Sequence, residues 1–224
     1  MTMSDDTMSV DFRPFPKITR LSREALITEK IDGTNAQVMI VPADQAAVSG
    51  AEPTVVGTEF TIYAGSRNRW ITPADDNFGF AAWVLDHAEE ITLLGPGRHF
   101  GEWWGSGIQR GYGLAKGEKR WSLFNTMRWH SHGETPRVFA SPDPRAPPKT
   151  TVEAPACVSV VPVLYQGEFS TVQAQHALDS LGASGSIASP GFMSPEGIVV
   201  FHVAGGIAFK KTLDRDGQPK GVKA

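Results

Sequence analysis

Polar and apolar residues alternate most regularly over residues 35–42 (NAQVMIVP), up to a proline, which is the pattern of a half-buried strand. A second such run, EFTIYAG (59–65), follows the looser segment ADQAAVSGAEPT, and the two predict an antiparallel hairpin. Upstream, LSREALITEKIDG (21–33) predicts a short helix running into a strand. In FGFAAWVLDHAEEITLL (78–94) the stripe Phe80, Trp83, Val84 and His87 has helical spacing. GRHFGEWWG (97–105) and KRWSLFNTMRW (119–129) are aromatic-rich strand candidates. Trp103 and Trp104 must point to opposite faces of one strand, so at least one belongs to a core.

Residues 131–156 are rich in proline and polar side chains and predict an exposed excursion rather than core. Beyond them come a strand (VSVVPVLYQGEF, 158–169) and a helix (STVQAQHALDSLG, 170–182) ending at Gly182. EGIVVFHVAGGIAFKKT (196–212) predicts a β-hairpin turning at Gly205-Gly206. Residues 1–11 read as a disordered lead-in, 12–213 as one folded domain and 214–224 as a polar tail. There is no internal repeat. Strands and helices do not alternate as βαβ units, so the fold class is α+β with mostly antiparallel strands.

Composition narrows the function classes. A chain of 224 residues with 41% hydrophobic and 20% charged residues is ordinary for a globular protein. No apolar run approaches the roughly 20 residues of a membrane-spanning helix. The acidic, polar N-terminus does not read as a secretory signal, so cytoplasmic residence is the default. A net charge of −3 excludes a uniformly basic coat but not a local basic groove. The single cysteine, Cys157, excludes an internal disulfide framework and a Cys-rich zinc site, and reads as a small buried hydrophobe. The six histidines show no metal-ligand spacing, and His130 and His132 read as loop residues. Neither a Walker P-loop nor G-x-G-x-x-G occurs.

The chemistry concentrates in EKIDGTN, residues 29–35. A lysine at a strand edge followed by Asp-Gly is, alone, equally a turn with a solvated lysine. Further segments change that weighing: GSRNRW with Arg67, FGEWWG with Glu102, WSLFN with Phe124, SPEGIVV with Glu196, and AFKKT with Lys210 and Lys211. In this order they resemble the motifs of the covalent nucleotidyltransferases, the superfamily of DNA ligases, RNA ligases and mRNA capping enzymes, and EKIDGTN is most similar to the RNA ligase branch. The resemblance runs from about Phe12 to Leu213, and no segment of OB-fold size follows the last lysine motif.

The resemblance implies a ligase-type adenylation domain of antiparallel sheets flanked by helices, lacking a C-terminal OB domain. It implies ATP and Mg²⁺ or Mn²⁺ as cofactors, and Lys30 as the nucleophile that becomes adenylylated. AMP would then pass to a 5′-phosphate end, which a 3′-hydroxyl seals. Glu29, Ile31, Asn35, Arg67, Glu102, Phe124, Glu196, Lys210 and Lys211 are the implied nucleotide-binding residues. Glu102 would hold the ribose and Phe124 would stack on the purine. Glu196 would position hydrated metal, with Asp32 a second candidate. Arg69, Arg110, Lys119 and Arg120 are candidate nucleic-acid contacts, although glycine-flanked Arg110 also reads as a surface residue. The expected partners are RNA ends or nicked RNA, together with an accessory protein in place of the absent module. The family commonly spaces its paired lysines by one residue; here they are adjacent, so in a regular strand only one faces the site. The first, Lys210, is the better match. A DNA nick ligase, an adenylyltransferase with another acceptor, and a catalytically lapsed binding module are the rival readings.

The chemistry is coherent. A free lysine with a pKa of about 10.4 is almost wholly protonated at neutral pH. Burial or nearby positive charge would activate it.

Overall fold

The computed structural model describes Phe12, residues 14–45, residues 50–141, Asp143 and residues 145–214. The expected lead-in over residues 1–11 and the tail after Asp214 lie outside the described residues.

The first strand, β1 (Glu24–Lys30), replaces the helix expected at its start. It is one of the two interior strands of a four-stranded sheet, and Ala25, Leu26 and Ile27 are all buried. A strand covered on both faces loses its alternation, and the contiguous apolar run then resembles a helix segment. The chain passes through Ile31–Gly33 into β2 (Thr34–Pro42), which belongs to a second sheet. There follow β3 (Val55–Val56), β4 (Phe60–Ser66) and β5 (Trp70–Ile71). The expected hairpin is present: β2 and β4 pair antiparallel from Ala36↔Ser66 to Pro42↔Phe60.

The expected single helix is two, α1 (Phe80–Asp86) and α2 (Ala88–Thr92). The backbone leaves helical geometry at His87, whose ring stacks on Trp83 and whose Nδ1 lies 2.8 Å from the Trp83 carbonyl. Next come β6 (Gly97–Gly105), β7 (Lys119–Leu123) and β8 (Trp129–His130). The proline-rich excursion carries three two-residue strands, β9 (Val138–Phe139), β10 (Lys149–Thr150) and β11 (Val152–Glu153). It is not wholly outside the core, because Phe139 and Ala154 are buried.

The strand expected over 158–169 is divided into β12 (Ser159–Val160) and β13 (Val163–Glu168). Pro162 has no N–H to extend a ladder, and at that point the chain changes sheets: β12 pairs with β7, β13 with β1. Helix α3 (Thr171–Ser184) is capped by Ser170, whose side chain accepts from the Val172 N–H. It runs past Gly182 and stops at Gly185, which has a φ of 83°. The chain closes with the expected hairpin, β14 (Gly197–His202) and β15 (Ile207–Thr212), whose turn ends at Gly206.

The smaller sheet has the order β13-β1-β14-β15, and α3 packs Ala177, Leu178 and Leu181 against Ala25, Ile27, Ile198 and Val200. The larger sheet runs β12-β7-β6-β2-β4-β3, with β5 paired to β4. Its core of Val38, Ile40, Ile62, Trp103 and Trp121 lies against Phe80, Val84 and Ile91 of the first two helices. Trp103 enters this core, and Trp104, on the opposite face, enters another with Ile31, Tyr112 and Val161. Each sheet thus has one helix-packed face, and the residues of the lysine segment that matter chemically project from the other.

Candidate active site

Strand parity decides what each residue of the lysine segment can do. Ala25 and Ile27 face α3, so Glu29 does too, and Lys30 projects from the opposite face. Lys30 is paired with Gly197, which places Glu196 beside it, and its Nζ meets Glu196 Oε2 at 2.5 Å. Both side chains keep access to solvent, at 24% and 17%. A Cβ on Gly197 would fall 2.2 Å from the Lys211 carbonyl oxygen, so only glycine lets β14 and β15 close here.

Gly33 is needed for close approach, since a Cβ there would lie 2.4 Å from the Trp103 carbonyl oxygen. This approach lets the Gly33 N–H donate to Glu102 Oε1 at 3.1 Å, while Asn35 Nδ2 donates to Oε2 at 2.9 Å. Arg67 Nε in turn donates to Asn35 Oδ1 at 3.1 Å. Arg67, just past β4, therefore forms one polar row with Asn35 of β2 and Glu102 of β6. Burial pushes the Glu102 carboxyl up to about 7, although Asn35, Lys30 and the Gly33 amide favour its ionised form.

Phe124 follows β7 and donates its backbone N–H to the Phe100 carbonyl at 2.9 Å. At 42% exposure it is not a core residue. Phe100, next to it and 51% exposed, was not singled out from the sequence. The β14–β15 register separates the two lysines. Lys210 pairs with Val199, in line with Thr28 and on the Lys30 face, while Lys211 pairs with Ile198 on the α3 face. Lys211 Nζ accordingly donates to Gln175 Oε1 of α3 at 2.6 Å.

Two expected contributors turn their side chains away. Glu29 is 1% exposed, and its carboxylate accepts from Ser186 Oγ at 2.6 Å and from the Ile187 and Ala188 N–H groups at 2.8 and 2.9 Å. Ile31 is buried against Trp104, Tyr112 and Val161. Both side chains are taken up inside the fold. Asp32, the second candidate metal ligand, is engaged by Arg110 Nε at 3.1 Å.

The candidate nucleic-acid contacts are also internally partnered. Arg69 makes a two-point pair with Asp75 at 2.6 and 3.0 Å. Lys119 Nζ donates to the Phe78 carbonyl at 2.7 Å, and Arg120 pairs with Glu118 at 2.5 Å while lying over Trp104. Arg110 meets four acceptors. All four candidate contacts are thus engaged in intramolecular ties in this structure. Tyr112, absent from the sequence-derived set, is fully buried, and its hydroxyl contacts the backbone on both sides of Ile31. Nothing in GIQRGYG except its glycines signals that role.

Two mostly antiparallel sheets joined through a Lys-x-Asp-Gly loop, with Glu102 from a strand of one and Glu196 from just before a strand of the other, define a nucleotidyltransferase domain of the ligase type. A family profile described as RNA ligase matches residues 23–212. The chain belongs to the RNA ligase family. No curated protein matches its sequence. Among solved structures it is similar to the Naegleria gruberi RNA ligase. A glutamate-to-alanine variant of that protein with ATP and Mn superposes with a TM-score of 0.52 at 16% identity, covering 87% of this chain and 51% of that one. An apo lysine-to-alanine variant gives 0.50 at 17% identity, covering 85% and 50%. A second glutamate-to-alanine variant, with AMP and Mn, gives 0.50 at 17%, covering 86% and 50%. The likeness is one of fold, and this chain spans about half the length of those proteins.

Proposed function

We propose that this chain is an ATP-dependent RNA ligase that works through a covalent Lys30–AMP intermediate. The observation that carries the reading is the Lys30–Glu196 contact at 2.5 Å, set at the joint between the two sheets within a chain of the RNA ligase family. A buried-edge amine with access to solvent on one side is placed to attack a nucleotide lying on the helix-free faces. In the first step the Lys30 Nζ lone pair forms a bond to the α-phosphorus, the bond from that phosphorus to the bridging oxygen breaks, and pyrophosphate leaves. The nucleophile must surrender a proton, and Glu196 Oε2 is the nearest carboxylate to receive it. AMP then passes to a 5′-phosphate of RNA, and a 3′-hydroxyl displaces it to close the phosphodiester.

In this reading Glu102 accepts from ribose hydroxyls, Phe124 stacks on adenine, and Arg67 and Lys210 face phosphates. Among the described residues no group of three or more His, Cys, Asp or Glu side chains could hold a metal ion. The donor set instead suits Mg²⁺ or Mn²⁺ kept largely in its water and phosphate shell, with Glu196 as the protein's contribution. Bound there, the cation would supply charge neutralisation for the phosphates.

The test is intact-mass analysis after incubation with ATP and Mg²⁺. Wild type should gain the mass of AMP and Lys30→Ala should not, because within EKIDGTN only the lysine can form the phosphoramidate. An adduct that survives in the alanine variant would place the nucleophile elsewhere. Sealing of a 5′-phosphorylated RNA oligonucleotide, run beside its DNA counterpart, then tests the substrate.

A further inference from the structure

The loop between β6 and β7 packs against the lysine segment through Tyr112, which is buried with Ile31 and with Trp104, on the face of β6 that also bears Glu102. Arg110 sits on it, and the side chain is only 28% exposed. Its Nε donates to Asp32 Oδ2 at 3.1 Å, Nη1 to the Ser194 and Pro195 carbonyls at 3.0 and 3.4 Å, and Nη2 to Asp214 Oδ2 at 3.4 Å. These acceptors belong to three separate stretches. Asp32 is two residues beyond Lys30, Pro195 immediately precedes Glu196, and Asp214 lies two residues beyond the strand that bears Lys210. One rigid guanidinium therefore ties together three loop segments that flank β1, β14 and β15, close in sequence to Lys30, Glu196 and Lys210.

Tyr112, two positions on, reinforces this. Its hydroxyl accepts from the Asp32 N–H at 3.0 Å and donates to the Lys30 carbonyl at 3.4 Å. The ring is locked by stacking on Phe192 at 4.6 Å and by edge contact with Trp104 at 5.3 Å. The loop holds an unusual backbone to do so, with Gln109 and Tyr112 at φ of 44° and 50° and Gly107, Gly111 and Gly113 also positive. Such conformations cost energy and persist where packing over-determines them.

We propose that Arg110 is a positioning residue, a brace that sets Lys30 against Glu196 by fixing the Lys30–Gly33 and Ser194–Glu196 backbones at once. A phosphate-binding arginine would present free donors to solvent; this one has its donors shared among four protein acceptors. Five N–H groups in a fixed plane suit that duty, and a lysine, with three donors on a single nitrogen, cannot reach three separated segments together. Pairing with Arg110 also compensates the Asp32 charge, which would otherwise repel phosphates next to the nucleophile.

The inference rests on the nucleotidyltransferase reading, so its test carries one readout that needs no catalysis. Full-length wild type, Arg110→Ala and Arg110→Lys are compared by single-turnover adduct formation over a range of ATP concentrations, by amide hydrogen exchange and by melting temperature. Arg110→Ala should form the adduct about 100-fold more slowly at saturating ATP, the scale of a misplaced reacting group, with the half-saturating concentration unchanged. Exchange should accelerate in peptides spanning residues 30–34 and 194–197 but not in residues 36–42. Arg110→Lys should recover the rate only in part, and it serves as the test if the alanine variant does not fold. An unchanged rate overturns the proposal, and so does faster exchange spread through β2 with a matching loss of melting temperature. Unchanged adduct formation with weaker binding of a 5′-phosphorylated RNA oligonucleotide would make Arg110 a nucleic-acid contact instead. If wild type forms no adduct, the nucleotidyltransferase reading fails, and the local exchange pattern still decides whether Arg110 is a brace.

Discussion

Glu102 offers a prediction in which stability and function respond to pH in opposite directions. Its carboxyl is 8% exposed and burial raises it from 4.5 to about 7. The folded state thus binds this proton more tightly than the unfolded chain does. The group's contribution is complete below about 4.5 and is lost as pH rises through about 7. A shift of that size corresponds to on the order of 3 kcal/mol. Nucleotide binding should run the other way. Gly33 and Asn35 already donate to the two carboxylate oxygens, and the remaining lone pairs accept ribose hydroxyls best when the group is ionised. A carboxyl titrating near 7 is roughly nine-tenths ionised at pH 8 and one-tenth at pH 6, so ATP affinity should fall about tenfold between them. The assay is equilibrium binding of an ATP analogue blocked at the α,β bridge, across pH 6–8, for wild type and Glu102→Gln, with denaturant unfolding at the same pH values. The nucleotide's own protonation is common to both proteins, so the difference between their profiles isolates Glu102. The glutamine variant should lose both pH trends. Identical profiles for the two proteins, or a wild-type affinity flat over this range, would refute the reasoning.

The two lysines of AFKKT should separate cleanly. Lys210→Ala should slow adduct formation about 100-fold, as expected for removing a group that stabilises developing charge, whereas Lys211→Ala should cost only the Gln175 hydrogen bond, about 1 kcal/mol or less by denaturation. Comparable rate losses in single-turnover assays would mean that the β14–β15 register does not hold in the working enzyme. Phe124→Ala should weaken ATP binding by about 1–3 kcal/mol, the worth of one base stack, while Phe124→Trp retains most of it. Since Phe124 is 42% exposed, neither change should move the unfolding free energy by more than about 0.5 kcal/mol, and a stability loss parallel to the activity loss would return it to the core.

Sequence alone determined the parts of this protein that depend on local period and local chemistry. Alternation marked β2 and β14, whose burial switches from one residue to the next because one face is packed and the other is more open. The order Lys30, Arg67, Glu102, Phe124, Glu196, Lys210 pointed to the family, because that chemistry uses particular side chains whatever the details of packing. β1 escaped the same reading: Ala25–Glu29 are buried without a break, so no alternation shows. Pro162 likewise broke an apparently continuous strand, since the missing N–H and the change of sheet appear only once both sheets exist. Tertiary structure alone decided which groups reach the site. Strand parity sent Glu29 to the 186–188 loop and Lys30 to the open face, and the register of β15 assigned Lys210 and Lys211 to opposite sides. Arg110 meets partners 78 to 104 residues away, a separation over which no local pattern carries information. Residue type limits what a side chain can do, but its direction and partners are set by pairing between segments distant in the chain.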